Sequence, residues 1–219
     1  MMTRAELLTE AKPILFNTEM VRAILDGRKT ATRRVVKPQP KDKIAYCFAG
    51  YDAGKWGYPP EDVYEYWGME FKRAEQLTAE EENRYWTPPC YGDDILYVRE
   101  TWADCNLISP EQYLYRADYD IKIEPYCNWK WHPSIHMPKE AARIFLRVTE
   151  VRVERLQDIT PEECISEGVR EPADENDKRT AIGAFADLWD STIPRKDREL
   201  YSWNANPWVW VIEFERLED

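Results

Sequence analysis

The sequence predicts an α+β domain in which a small mixed or closed β-sheet is flanked by helices and interrupted by one irregular insertion. Three observations carry that reading. Residues 208–215 alternate Trp208, Trp210, Ile212 and Phe214 with Val209, Val211, Glu213 and Glu215, which is the period of a strand. Thr160-Pro161-Glu162-Glu163 combines an N-cap, a proline at the first helical position and a capping-box glutamate. Several further short strand patterns appear with few helices, and open sheet edges need cover.

In chain order, the first helix signal follows Asn17-Thr18. Met20, Val21, Ile24 and Leu25 recur at helical spacing, and Gly27 supplies the stop. A basic loop comes next and ends in Lys37-Pro38-Gln39-Pro40, extended because residues before proline avoid the helical region. Residues 44–90 read as an irregular insertion packed by its aromatics, with two Pro-Pro pairs, four of the eight glycines and a short helix over 78–82. Ile95-Leu96-Tyr97-Val98 and Tyr113-Leu114-Tyr115-Arg116 read as strands. Residues 143–155 form a longer one, in which Ile144, Leu146 and Val148 share a face before the phase slips to Val151 and Val153; the slip predicts a bulge. The helix from Thr160 stops near Gly168. A second, over about 178–190, carries Ile182, Phe185, Leu188 and Trp189 on one side. No internal repeat is visible, and residues 1–219 are read as one domain.

Composition narrows the function classes. A chain of 219 residues with 43% hydrophobic side chains and ten tryptophans excludes wholesale disorder. A net charge of −11 argues against a protein that coats nucleic acid. Yet Arg28, Lys29, Arg33, Arg34, Lys37, Lys41 and Lys43 stand against the single acid Asp42, a segment of +6 inside that chain. One face is therefore expected to attract phosphate while the acidic remainder limits indiscriminate binding. No apolar run approaches the roughly 20 residues of a membrane span, and the first residues lack a signal peptide's apolar stretch. The five cysteines are odd in number and widely spaced, which suits reduced thiols; the expected location is the cytoplasm.

Gly27-Arg28-Lys29-Thr30-Ala31-Thr32-Arg33-Arg34 is the densest candidate for chemistry. A lysine beside two hydroxyls and two guanidiniums binds an anion, or activates a threonine once its ammonium loses a proton in a desolvated pocket. The rival reading is a solvated basic loop. Arg99-Glu100-Thr101-Trp102 offers a guanidinium, a carboxylate and a ring, the groups that read a flipped base; its rival is an Arg–Glu pair with Trp102 in the core. Trp208 and Trp210 are expected in the core, whereas Trp129 and Trp131 lie in a Pro-bounded loop suited to stacking. His132 and His136 are separated by Pro133, and no Cys-x-x-Cys pair occurs, so neither metal nor cofactor is expected. No Gly-x-Ser-x-Gly and no glycine-rich phosphate loop is present.

Ile24-Leu25-x-Gly27-Arg28-Lys29-Thr30-x-Thr32-x-Arg34 resembles the signature of the ASCH domain, a member of the PUA-like superfamily. Gly92-Asp93-Asp94 with its strand, the capped helix Thr160 to Glu167 and the closing strand from Trp208 to Phe214 resemble further parts of that family, in the same order. Arg99-Glu100-Thr101-Trp102 and Pro133-Ser134-Ile135-His136-Met137-Pro138 are similar to segments of its longer, phage-associated members. The resemblance implies a small β-barrel of about five to six strands and recognition of RNA or a modified nucleoside in a cleft beside it. Smaller relatives are amidohydrolases acting on N4-acetylcytidine with a Lys, a Thr and a Glu. Those positions correspond to Lys29, Thr32 and Glu167, with Glu163 as the alternative acid. Thr32 would attack the amide carbonyl, Lys29 would take its proton, Glu167 would orient Lys29 or protonate the leaving amine, and Arg34 would stabilise the oxyanion. Arg28, Arg33, Arg99, Glu100 and Trp102 are the expected nucleic-acid contacts. A ribonuclease is the related option. The rival class is a non-catalytic binding module of phage origin, with a protein partner docked through the acidic insertion around 61–82.

Overall fold

The computed structural model describes residues 3–46, 54–58, 84–104, 113–119, 129–170 and 180–217. Along the chain these form α1 (Arg4–Glu10), β1 (Lys12–Leu15), α2 (Thr18–Leu25), β2 (Ala31–Val35), β3 (Ala45–Tyr46), β4 (Trp56–Gly57), β5 (Ile95–Arg99), β6 (Trp102–Asp104), β7 (Tyr113–Tyr115), β8 (Phe145–Arg155), α3 (Pro161–Ser166), α4 (Ala181–Thr192), α5 (Arg198–Tyr201) and β9 (Trp208–Leu217). The architecture is mixed α+β. Five strands make one sheet in the order β1-β5-β8-β9-β2, with β1 parallel to β5 and every other neighbour antiparallel.

Strand β9 occupies a central position because both of its faces are apolar where they are covered. Trp208, Trp210, Ile212 and Phe214 enter the main core with Ile144, Leu146, Val148 and Val153 of the neighbouring segment. Val209 and Val211 turn the other way, onto Phe185 and Trp189 of α4 and Cys164 of α3. The register of β8 against β9 shifts between Val148 and Glu150, so Val151 and Val153 return to the face that Ile144, Leu146 and Val148 occupy. That is the expected bulge, and its effect is to keep one apolar face along an eleven-residue strand.

Helix caps follow the sequence signals. The Asn17 side chain accepts from the Met20 N–H at 2.9 Å and starts α2. Thr160 and Glu163 form a reciprocal capping box at α3, with Pro161 in its first turn.

The ladder does not close into a barrel among the described residues. β1 and β2 are its two edges. Pro13 lacks an N–H, which suits β1 to an edge. The Arg34 side chain of β2 reaches across and donates to the Leu15 carbonyl of β1 at 2.8 Å, so a guanidinium spans the gap where a ladder would otherwise run.

Two further pairs are small: β3 with β4, and β6 with β7. Aromatic contacts seat the described parts of the insertion, with Trp56 edge-on to Trp210 at 5.0 Å and Tyr58 edge-on to Trp86 at 5.2 Å. The helix expected over 78–82 and the acidic stretch 61–82 lie outside the described residues. No helix among the described residues is long and apolar enough to cross a membrane.

Candidate functional site

The turn after α2 builds the site. Gly27 adopts a φ of +73°, which glycine takes without the Cβ penalty, and both the Arg28 and Lys29 N–H groups then donate to the Ala23 carbonyl at 2.9 and 3.0 Å. Thr30 closes the construction: its N–H donates to the Ser166 carbonyl of α3, and its carbonyl accepts from the Phe214 N–H of β9, both at 2.8 Å. Lys29 is thereby pressed against the C-terminal end of α3, where the helix leaves unsatisfied carbonyls.

There the Lys29 ammonium donates three hydrogen bonds: to the Ala31 carbonyl at 2.7 Å, to the Glu167 carbonyl at 2.8 Å and to Glu167 Oε2 at 2.8 Å. The Lys29 side chain is fully buried and that of Glu167 is 4% exposed. This joins residues 138 positions apart in a dry ion pair. Burial holds the Lys29 ammonium below its ordinary range; the Glu167 charge opposes that, and the nearby Arg34 and Arg33 reinforce it. The pair depends on Gly168. Its φ is +95°, and a Cβ there would stand 2.9 Å from the Ala23 Cβ and 3.3 Å from the Lys29 Cβ. Only a glycine lets the α3 terminus approach this closely.

Strand alternation sorts the rest of β2. Arg33 points towards α3, with one guanidinium nitrogen 3.4 Å from Glu167 Oε1 and another 3.0 Å from Glu163 and 3.4 Å from Glu154. Arg152 in turn holds both Glu154 and Glu163 at 2.5 Å, and it pairs with Glu213. Thr32 and Arg34 take the opposite face. Thr32 is buried and sits across from Ile212. The Arg34 guanidinium lies 5.4 Å above the Phe16 ring, the same ring that faces Lys29 Nζ at 5.4 Å.

Between the two sheet edges opens a cleft of about 410 Å³. One wall is Pro13, Ile14 and Leu15, the other Arg34, Val35 and Lys37. Leu96, Trp210 and Ile212 form its floor, and Thr87, Pro89 and Cys90 a third side. Burial pushes the Cys90 thiol up to about 12, with Asp94 adding to the effect. Arg34 is the residue shared by the cleft and the polar cluster. Lys29, Thr32 and Glu167 are buried and do not line it.

The structure therefore unites Lys29, Arg33 and Glu167, with Arg34 beside them over the Phe16 ring and Thr32 buried on the same strand. It gives the Lys29 contact to Glu167 rather than to Glu163, which is spent on capping α3 and on Arg33 and Arg152. Other expected contacts fall elsewhere. Arg33 is 3% exposed and neutralised by carboxylates, so it does not present charge to a phosphate. Arg28 is tied to the Gly168 carbonyl and Asp26. Arg99 donates to the Ile135 carbonyl. Glu100 is 1% exposed and gripped by Arg143 through both oxygens, at 2.8 and 3.0 Å, although burial still raises its proton affinity. Trp102 packs in a second core cluster, stacked on His132 at 4.9 Å. Trp131 packs against Tyr119 at 5.8 Å and lies under the Arg116 guanidinium.

Sequence reasoning missed Phe16, Cys90, Glu154 and Gly168. The only signal was for Gly168, a glycine directly after a capped helix ending in Glu167. Among the described residues no three His, Cys, Asp or Glu side chains are grouped to hold a metal ion.

No family model, curated protein or solved structure matches the chain.

Proposed function

We propose that the chain is an ASCH-type module of the PUA-like class, a barrel left open between β1 and β2, which recognises RNA or a modified nucleoside in that opening and hydrolyses the exocyclic amide of N4-acetylcytidine-type substrates. The observation that carries this reading is the buried Lys29–Glu167 pair, which shares the Phe16 ring with the cleft residue Arg34. Desolvated lysines are the ones that serve as bases. A cleft of about 410 Å³ with an apolar floor and a cationic rim matches a planar base carrying a small acyl group.

In this mechanism the amide carbonyl sits at the Ile212 end of the floor, beside the β2 position of the buried Thr32, and the edge strand shifts on binding so that the Thr32 hydroxyl meets the cleft. Lys29, having released one proton, frees one of its three hydrogen bonds and takes the proton of the Thr32 hydroxyl. The Thr32 oxygen attacks the carbonyl carbon, and Arg34 faces the developing oxyanion. Breaking the C–N bond returns the proton from Lys29 to the exocyclic nitrogen, leaving cytidine and an acetyl ester on Thr32. Water then cleaves the ester, with Lys29 again as base, and acetate leaves.

The experiment is incubation with N4-acetylcytidine and chromatographic measurement of released cytidine. Wild type turns over; Lys29→Ala and Thr32→Ala lower kcat by at least about 100-fold, the scale of a lost base or nucleophile. Undiminished turnover in either variant overturns the assignment. One observation favours a non-catalytic binding module instead: all three Lys29 N–H groups are already bonded, as in a structural strut. That reading predicts no cytidine, together with RNA binding that weakens with salt and in Arg34→Ala.

A further inference from the structure

The hydrolytic scheme leaves Arg33 without a task, although it is among the most deeply buried charges of the described residues. Its surroundings are built. Glu167 offers two oxygens: Oε2 accepts from Lys29 at 2.8 Å, and Oε1 faces Arg33 Nη1 at 3.4 Å. The other end of the guanidinium is held by Glu163 at 3.0 Å and Glu154 at 3.4 Å. Those two acids are fixed from behind by Arg152. Arg33 thus cannot swing towards a ligand in the cleft, which Arg34 faces from the opposite side of β2.

We propose that Arg33 is a positioning residue, a second cation on Glu167 that keeps this buried carboxylate paired whether Lys29 carries three protons or two. The proposal rests on the hydrolytic reading of Lys29 and Thr32. Its physical ground is charge balance. A buried carboxylate without a partner is strongly unfavourable. If Lys29 were the only cation on Glu167, releasing its proton would strand the carboxylate, and the lysine would be locked as an ammonium. With Arg33 present, Lys29, Glu167 and Arg33 together carry +1 with the ammonium and zero with the amine, and no unpaired ion arises in either state.

Every charged group around Lys29 enters this balance. Glu167 at the end of α3 holds the proton on. Arg33 and Arg34 from β2 push it off, as does burial. Phe16, after β1, contributes an uncharged ring. Glu154 of β8 and Glu163 of α3 offset Arg33 from its far side, and Arg152 offsets them.

The test uses the full chain labelled with 13C and 15N in its lysine side chains, with the Lys29 resonance assigned by its loss in Lys29→Met. In wild type, Lys29 titrates at lower pH than the surface lysines. In Arg33→Gln, it titrates at least about one pH unit higher, a tenfold gain in proton affinity. Arg33→Lys restores most of the difference. In turnover of N4-acetylcytidine, the acidic limb of kcat moves up by the same interval in Arg33→Gln, while KM changes by less than about twofold. An unchanged Lys29 titration in folded Arg33→Gln overturns the proposal, because a merely structural arginine would lower stability and leave the titration alone. Should that variant not fold, wild-type Lys29 titrating with the surface lysines overturns it equally. Absence of turnover in wild type defeats the hydrolytic reading, whereas the titration judges Arg33 separately.

Discussion

Replacing Glu167 with glutamine leaves two buried cations, Lys29 and Arg33, facing a neutral amide. Both lie within 3.4 Å of the carboxylate in the wild type, at 2.8 and 3.4 Å, and both side chains are at most 1% exposed. Removing one partner of a buried, hydrogen-bonded pair costs about 3–5 kcal/mol. Glu167→Gln belongs at the upper end, because two cations lose their shared counter-charge. Lys29→Met belongs at the lower end, because Arg33 remains on the carboxylate. The double variant loses less than the sum, with a coupling of about 1–3 kcal/mol. Urea titration at pH 7 and constant m reads all three. The pH dependence has a definite sign. Burial makes the native state bind the Lys29 proton less tightly than the unfolded chain, so stability rises with pH from the native titration of Lys29 up to its ordinary value near 10.5. In Glu167→Gln that window opens at lower pH, and the deficit shrinks as pH increases. Losses below about 1 kcal/mol for both single variants, as for exposed pairs, would refute the reasoning, and so would the reverse order.

Three further outcomes follow from the same geometry. Gly168→Ala places a Cβ 2.9 Å from that of Ala23 at a φ of +95°, so it lowers stability by at least about 1–3 kcal/mol in a thermal melt and depresses turnover with it. Thr160→Ala removes the side-chain acceptor of the α3 capping box and costs about 1 kcal/mol by the same measurement. Cys90, its thiol held near 12, resists alkylation at pH 8 in the folded protein and reacts once the chain is unfolded; peptide mapping by mass spectrometry reads both states, and rapid native labelling would contradict the burial.

The elements that announced themselves were those with a local cause. The Thr160 capping box, the Asn17 cap, the alternation of β9 and the phase slip in β8 are each written within a dozen residues, and each is present in the structure. Strand β2 was not legible. Its residues Thr32, Arg33 and Arg34 read as part of a basic loop, because hydrophobic periodicity cannot register an arginine buried by carboxylates supplied 121 to 134 positions away. Strand β1 was hidden by Pro13, and its partner is a parallel strand some 80 residues further on. The +6 segment predicted one phosphate-attracting face. Lys29 and Arg33 instead spend their charge inside the protein, and Arg34 and Lys37 are the cations that remain at the cleft. The Lys29–Glu167 pair was suggested by family resemblance alone; no spacing rule connects residues so far apart.

The central claim, that Thr32 carries the acyl group during hydrolysis in this cleft, is tested most directly by rapid-quench mass spectrometry of the protein mixed with N4-acetylcytidine. The account predicts a transient mass increase of one acetyl group, mapped to the peptide containing Thr32 and absent in Thr32→Ala. Cytidine release with no acetylated protein, or with the acetyl group on Cys90, would contradict it.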